Sequence, residues 1–204
     1  MSSRAVAALA LVLCACGAPA QEAPPPYTPA NSPEAPTTCP DQAAAAKEAR
    51  EKAIEIPSKK GEAARAVFLL AECEKQRLER TRIAALNADV YLHEVGAARQ
   101  EYETVRNLYE EVMNYGSPLW SLAAAVRLGD IRVTFAGKVE KGRPRDLMPE
   151  DVQGITEVLR NEAATSYRTG LRLGKAAPDE ESQRWSRAAC DGLRAIEPGA
   201  SCEP

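Results

Sequence analysis

The sequence is poor in aromatic and imidazole side chains. Its 204 residues include two Phe, two Trp, six Tyr and a single His, His93. Zinc sites are built from several cysteine or histidine ligands at characteristic spacings, and the six cysteines of this chain contain no C-x-x-C pair. Runs of β-branched residues, which favour strands, are almost absent as well. These absences argue against a metal site and against a β-sheet protein.

The chain also lacks the short motifs that mark common catalytic sites. It has no P-loop, no G-x-G-x-x-G, no G-x-S-x-G and no C-x-x-C-H haem motif. The formal net charge of −3 provides no basic surface for nucleic acid. We therefore predict a non-enzymatic protein with no catalytic residue, cofactor, metal ion or nucleic-acid partner. An enzyme whose site a single sequence does not reveal is the remote alternative.

The N-terminus is typical of an export signal. Arg4 precedes an apolar run of 11 residues, 5–15, which is too short to span a bilayer. Two cleavage sites compete. The stretch Leu13-Cys-Ala-Cys16 resembles a bacterial lipobox, so that residues 1–15 would be a lipoprotein signal peptide and Cys16 the acylated N-terminus. Cleavage after Ala20 is the alternative.

The two cleavage sites predict two locations. An acylated Cys16 would anchor the chain to the bacterial membrane, facing the periplasm, whereas cleavage after Ala20 would give a soluble periplasmic protein. Residues 17–40 contain 8 of the 15 prolines, and proline neither continues a helix nor donates to a strand ladder. We therefore predict a disordered tether over 16–40, a helical domain over 41–198 and a C-terminal tail over 199–204.

Four cysteines remain after either cleavage, and an even number in an exported chain suggests disulfides. Cys39 lies just before the first predicted helix and Cys73 about three turns into the second. An antiparallel hairpin that turns near Pro57 would bring them to the same level. Cys202 follows the helix stop at Pro198-Gly199 and can fold back over the last helix. We therefore favour the pairs Cys39–Cys73 and Cys190–Cys202.

Composition and periodicity predict an all-α domain of about six antiparallel helices, either a tetratricopeptide-like array or an irregular bundle. Gly96 is expected to break or bend the chain, so that Val90–Val112 has the outline of a tetratricopeptide unit. The segment Gly137–Met148 is expected to be a polar loop, whose basic run Lys138–Arg145 is either solvated or a contact for phosphate or a lipid headgroup. The predicted helices cover 41–56, 63 to about 95, 98–114, 117–136, 149–174 and 179–196.

Each helix is expected to bury one apolar stripe. Trp120 is the largest side chain of its stripe and is predicted to wedge between two helices. The predicted buried residues are Val67, Leu70, Ala71, Leu78, Ile83, Leu86 and Val90; Ala98, Tyr102, Val105, Tyr109 and Val112; Trp120, Ala124, Leu128, Ile131 and Phe135; Val152, Ile155, Leu159, Ala163, Tyr167 and Leu171; and Trp185, Ala189, Leu193 and Ile196.

The C-terminal part of the chain resembles a known module. The stretch GSPLWSLAAAVRLGDIRVTFAGKV (116–139) is followed by LMPED (147–151), EAATSY (162–167) and WSRAA (185–189). Over residues 80–198 this order is similar to the C-terminal module of tetratricopeptide-repeat envelope proteins of myxobacteria, including gliding-motility lipoproteins. The resemblance implies a helical array in the cell envelope.

These observations predict a lipid-anchored scaffold that binds other envelope proteins through a groove between helical hairpins. An assembly or secretion accessory lipoprotein, acting as a chaperone or pilotin for an outer-membrane partner, is the alternative. The membrane contact is predicted to come from the lipid on Cys16.

Overall fold

The computed structural model describes residues 39–177 and 179–202. Its helices are α1 (Cys39–Glu55), α2 (Lys60–Arg80), α3 (Ala88–Asn114), α4 (Pro118–Gly142), α5 (Pro149–Lys175) and α6 (Glu180–Ile196), with a 3₁₀ turn at Pro57–Lys59 between α1 and α2. The described residues include no strand, so the predicted all-α class is confirmed. The predicted signal peptide, Cys16, and the tether up to residue 38 lie outside the described residues.

The helices form three antiparallel hairpins arranged in two layers. Each helix packs against the next, and α4 also packs against α2 and α6. The even-numbered helices therefore form one layer, and α4 lies at its centre. Every residue from Ser121 to Gly129 of α4 is buried, which explains the run of Leu, Ala and Val there: neighbouring helices surround this stretch.

Local capping explains several helix ends. Asn87 accepts a hydrogen bond from the Val90 amide (3.0 Å) at the start of α3, and Asp179 accepts one from the Ser182 amide (2.9 Å) at the start of α6. Gly116, with φ +69°, makes the tight turn between α3 and α4.

The structure corrects the predicted break between the second and third helices. The predicted helix from 63 to about 95 instead ends at Arg80, and α3 begins at Ala88 and continues through Gly96. Gly96 is exposed and has no neighbour within 4 Å of an added Cβ, so it costs α3 some helix propensity but does not turn the chain. The tetratricopeptide outline over Val90–Val112 was therefore wrong, because this stretch is one helix.

The predicted loop at Gly137–Met148 was too long. α4 continues through Gly137 to Gly142, and the connection to α5 is residues 143–148. Lys138 holds this last part of α4 against α2: its Nζ donates to the carbonyl oxygens of Glu79 (2.9 Å) and Thr81 (2.6 Å). Burial lowers the pKa of Lys138 despite the nearby Glu79 carboxylate.

Most of the predicted stripes are buried. The α3 stripe from Ala98 to Val112 is buried throughout, as predicted. Three predicted core residues are exposed: Leu86 and Val90, because the chain leaves the helix at Thr81, and Ile155, whose place in the core is taken by Thr156. Trp120 is only half-buried, and Trp185 is the fully buried tryptophan.

Glycines allow the central helices to approach closely. The ring of Tyr167 on α5 lies between Gly129 on α4 and Gly192 on α6. A Cβ added at Gly129 would lie 2.5 Å from a ring carbon, and one at Gly192 would lie 2.4 Å from another. A Cβ added at Gly174 would likewise overlap the side chain of Ser186. These small residues set the spacing of α4, α5 and α6.

We expect Gly129→Ala to destabilise the domain and Gly137→Ala to stabilise it. Both glycines lie in α4, but an added Cβ at Gly137 meets nothing within 4 Å. Alanine in an open helical position gains up to about 1 kcal/mol, whereas overpacking costs about 1–3 kcal/mol. Urea unfolding followed by circular dichroism measures both. A midpoint that rises for Gly129→Ala would show that Tyr167 moves away without cost.

The cysteine pairs of the structure are those that the sequence favoured. Cys39 lies 5.6 Å from Cys73 between Cα atoms and joins the start of α1 to α2. Cys190 lies 5.4 Å from Cys202 and ties the chain after α6 back onto that helix. Both separations fall within the usual range for a disulfide. The first pair fixes where the preceding chain, residues 1–38, meets the domain.

Candidate functional site

A polar network at the centre of the fold joins five helices. The buried guanidinium of Arg127 (α4) donates to Glu72 on α2 (2.9 Å) and to Asp130 (2.9 Å), and lies 5.0 Å from the ring centroid of Trp185 on α6. Burial alone would lower the pKa of Arg127, but the attraction of the two carboxylates outweighs it and raises that pKa. Arg127 therefore stays charged.

Two tyrosines complete the network. The hydroxyl of Tyr109 on α3 donates to Glu72 (2.5 Å), and that of Tyr167 on α5 donates to Asp130 (2.8 Å). Each carboxylate thus binds both Arg127 and one phenol. Because the guanidinium, the two carboxylates and the two phenols bind one another, the network fixes the relative positions of the helices.

We expect stability to fall steeply above about pH 10, the ordinary pKa of tyrosine. Burial, helped by the adjacent carboxylate, raises the pKa of both Tyr109 and Tyr167. Both phenols stay neutral in the fold while they ionise in the unfolded chain, so the stabilisation is complete below pH 10 and is lost as pH rises. Each contributes up to about 1.4 kcal/mol per pH unit. Urea midpoints between pH 9 and 11 measure the slope, which Tyr109→Phe should reduce. An unchanged slope in that variant would contradict this assignment.

A second feature is open to solvent. Helices α3 and α5 both flank α4 but do not pack against each other, so a groove runs between them with α4 as its floor. We call this the α3–α5 groove. At its base the Nε of Arg132 donates to Glu162 (3.1 Å), and another guanidinium nitrogen donates to Ser166. The ring of Tyr102 on α3 stacks on Phe135 of α4 at 4.8 Å between centroids.

Apolar side chains line the α5 wall of this groove. Val158 borders a depression of about 430 Å³ together with Arg132, Asn161, Glu162, Thr165 and Ser166. Ile155 lies one turn earlier on the same side of α5. Ile155 and Val158 are 53% and 56% exposed. Two large apolar side chains beside a polar base suit an amphipathic segment of another protein.

The structure places the remaining sequence candidates apart from this groove. His93 is exposed on α3, far along the helix from Tyr102, and the neighbouring Glu94 accepts a hydrogen bond from the Ala84 amide (2.7 Å). Within the described ranges, no three His, Cys, Asp or Glu side chains are grouped as a metal site would require. Nor is any helix of this part of the chain long and apolar enough to cross a bilayer.

No family model, curated protein or solved structure matches the chain. We predicted a groove between helical hairpins from the sequence but not its residues, because Ile155 was placed in the core and neither Val158 nor Arg132 was assigned a role.

Proposed function

We propose that this protein is a non-catalytic, lipid-anchored scaffold of the bacterial cell envelope, which binds other envelope proteins through the α3–α5 groove. The lipobox-like Leu13-Cys-Ala-Cys16 and the proline-rich residues that follow support the anchor. The two-layer array of helical hairpins supports the scaffold, because such arrays present extended grooves between helices.

One observation carries the proposal. Ile155 and Val158 expose apolar surface on α5. Beside them, Arg132 of α4 is hydrogen-bonded to Glu162 and Ser166 of α5 and forms the polar base of the groove. An amphipathic helix could place apolar residues on this pair and polar residues over Arg132 and Glu162. The preferred partner is therefore a helical segment of another envelope protein.

The test is recovery of a stoichiometric complex from detergent-solubilised envelope. Val158→Asp should abolish the complex, because it places a carboxylate in the apolar wall beside Glu162. Ile54→Asp is the matched control: Ile54 is 82% exposed on α1, away from the groove, and its substitution should leave the complex intact. Equal recovery of the complex with both variants would show that the α3–α5 groove is not the binding site. A complex only with newly synthesised outer-membrane protein, lost during a chase, would indicate the chaperone or pilotin role instead.

A further inference from the structure

Two loops meet at one end of the helical domain. Residues 81–87 join α2 to α3, and residues 143–148 join α4 to α5. The side chain of Ile83 packs directly on Gly142, where an added Cβ would lie 2.4 Å from it. The Ala88 amide lies 3.4 Å from an Asp146 carboxylate oxygen. We call this surface, residues 81–92 and 143–148, the loop end.

Large apolar side chains project from the loop end. Leu86 is 92% exposed and Met148 is 62% exposed, one on each loop. Val90 and Leu92, in the first turns of α3, are exposed as well. The loop end thus holds four of the nine exposed large hydrophobic residues of the described chain. Leu86 is not part of the core, so the packing of the domain does not account for a leucine at this position.

The loop end carries a small excess of positive charge. Residues 81–92 and 143–148 include three arginines, Arg82, Arg143 and Arg145, against two acids, Asp89 and Asp146. Arg82 and Arg145 are exposed beside Leu86 and Met148. Aliphatic side chains flanked by arginines are suited to the boundary between acyl chains and headgroups, because the guanidinium groups reach phosphates while the apolar groups enter the acyl region.

The preceding chain leaves the domain near the same end. The Cys39–Cys73 disulfide fixes Cys39 beside residue 73 of α2, and α2 ends at Arg80. At about 1.5 Å per helical residue, Cys39 therefore lies roughly 10 Å from the level of the loop end and roughly 20 Å from the opposite end of α2. Of the two ends of the domain, the loop end is therefore the nearer to Cys39, where the preceding chain attaches.

We propose that the loop end docks on the bilayer that holds the lipid anchor, with Leu86 and Met148 inserted at the headgroup boundary. This inference rests on the proposed function only in assuming an N-terminal anchor. It assigns the orientation of the domain: the hairpin axes run away from the membrane, and the α3–α5 groove opens to the side.

The test fixes the anchor independently of acylation. The mature chain from Gly17 onward is held on vesicles of phosphatidylethanolamine and phosphatidylglycerol by an N-terminal polyhistidine tag and a nickel-chelating lipid. A bimane probe is attached to Leu86→Cys, to Met148→Cys or, as control, to Ile54→Cys. Doxyl-labelled lipid should quench the probes at 86 and 148 and leave the probe at 54 unquenched.

A second variant measures the energetics. With the probe at 86, Met148→Asp should lower the ratio of docked to undocked protein by roughly 10- to 100-fold, the usual value of burying one large apolar side chain. Ile56→Asp, at the opposite end of the domain, should leave it unchanged. Equal quenching at 54 and 86, or none at 86, overturns the proposal. Loss of an envelope protein from the loop variants without any quenching would assign the loop end to a protein partner. Failure of acylation at Cys16 affects none of these results.

Discussion

Trp185→Ala is expected to lower the free energy of unfolding by about 3–5 kcal/mol, the usual cost of truncating a fully buried aromatic. Trp185 is completely buried on α6. Its ring meets Phe68 of α2 edge to face at 6.1 Å and lies beside the Arg127 guanidinium. The substitution removes the side chain that joins α6 to both other even-numbered helices and leaves a cavity against a buried charge. A domain of this size has about 5–15 kcal/mol in total.

Trp120→Ala is the matched comparison. Trp120 also contacts Phe68, at 5.2 Å between ring centroids, but it is only half-buried. Its loss should therefore cost clearly less than the loss of Trp185. Urea unfolding followed by circular dichroism ranks the two variants. The reverse order would mean that the Trp120 contact, rather than the Trp185 contact, holds the even-numbered layer together.

Arg127→Met is expected to cost about 3 kcal/mol or more, because it leaves the carboxylates of Glu72 and Asp130 facing each other without their shared cation. Those side chains are 27% and 31% exposed, so water moderates the penalty. Adding Glu72→Gln and Asp130→Asn to the methionine variant should recover part of the loss, since the repulsion disappears.

A surface ion pair provides the control for this prediction. Arg99 donates to Glu103 at 2.8 Å on the exposed side of α3. Arg99→Met should change the stability by less than about 1 kcal/mol, as is usual for exposed pairs. Urea midpoints of the three variants measure these differences in stability. A methionine variant at position 127 as stable as the one at position 99 would show that the network adds nothing to stability.

The sequence predicted the helices and most of their buried stripes because apolar residues recur with helical spacing. It failed at residues 81–87, because the apolar spacing of Ile83, Leu86 and Val90 was taken as part of an imperfect helical period that began in α2. The cap signal Asn87-Ala-Asp89 was present in the sequence and marks the true start of α3. The helix boundary was predicted from hydrophobic periodicity, although the capping residues indicate it more accurately.

The residues of the groove were not identified from the sequence, for a geometric reason. At 100° per residue, Ile155 lies about 75° from the mean direction of the stripe formed by Val152, Leu159, Ala163 and Tyr167, whereas Thr156 lies about 25° from it. The angular position around α5, rather than the hydropathy of the side chain, therefore determines that Thr156 and not Ile155 is buried. The contacts of Arg132 with α5 could not be predicted, because they depend on how α3 and α5 are placed around α4.

Mass spectrometry of the mature N-terminus tests most directly the claim that the protein is anchored in the envelope. We expect a chain that begins at Cys16 and carries the mass of a diacylglyceryl group. A free N-terminus at Gln21, or a chain that retains residues 1–15, would contradict it.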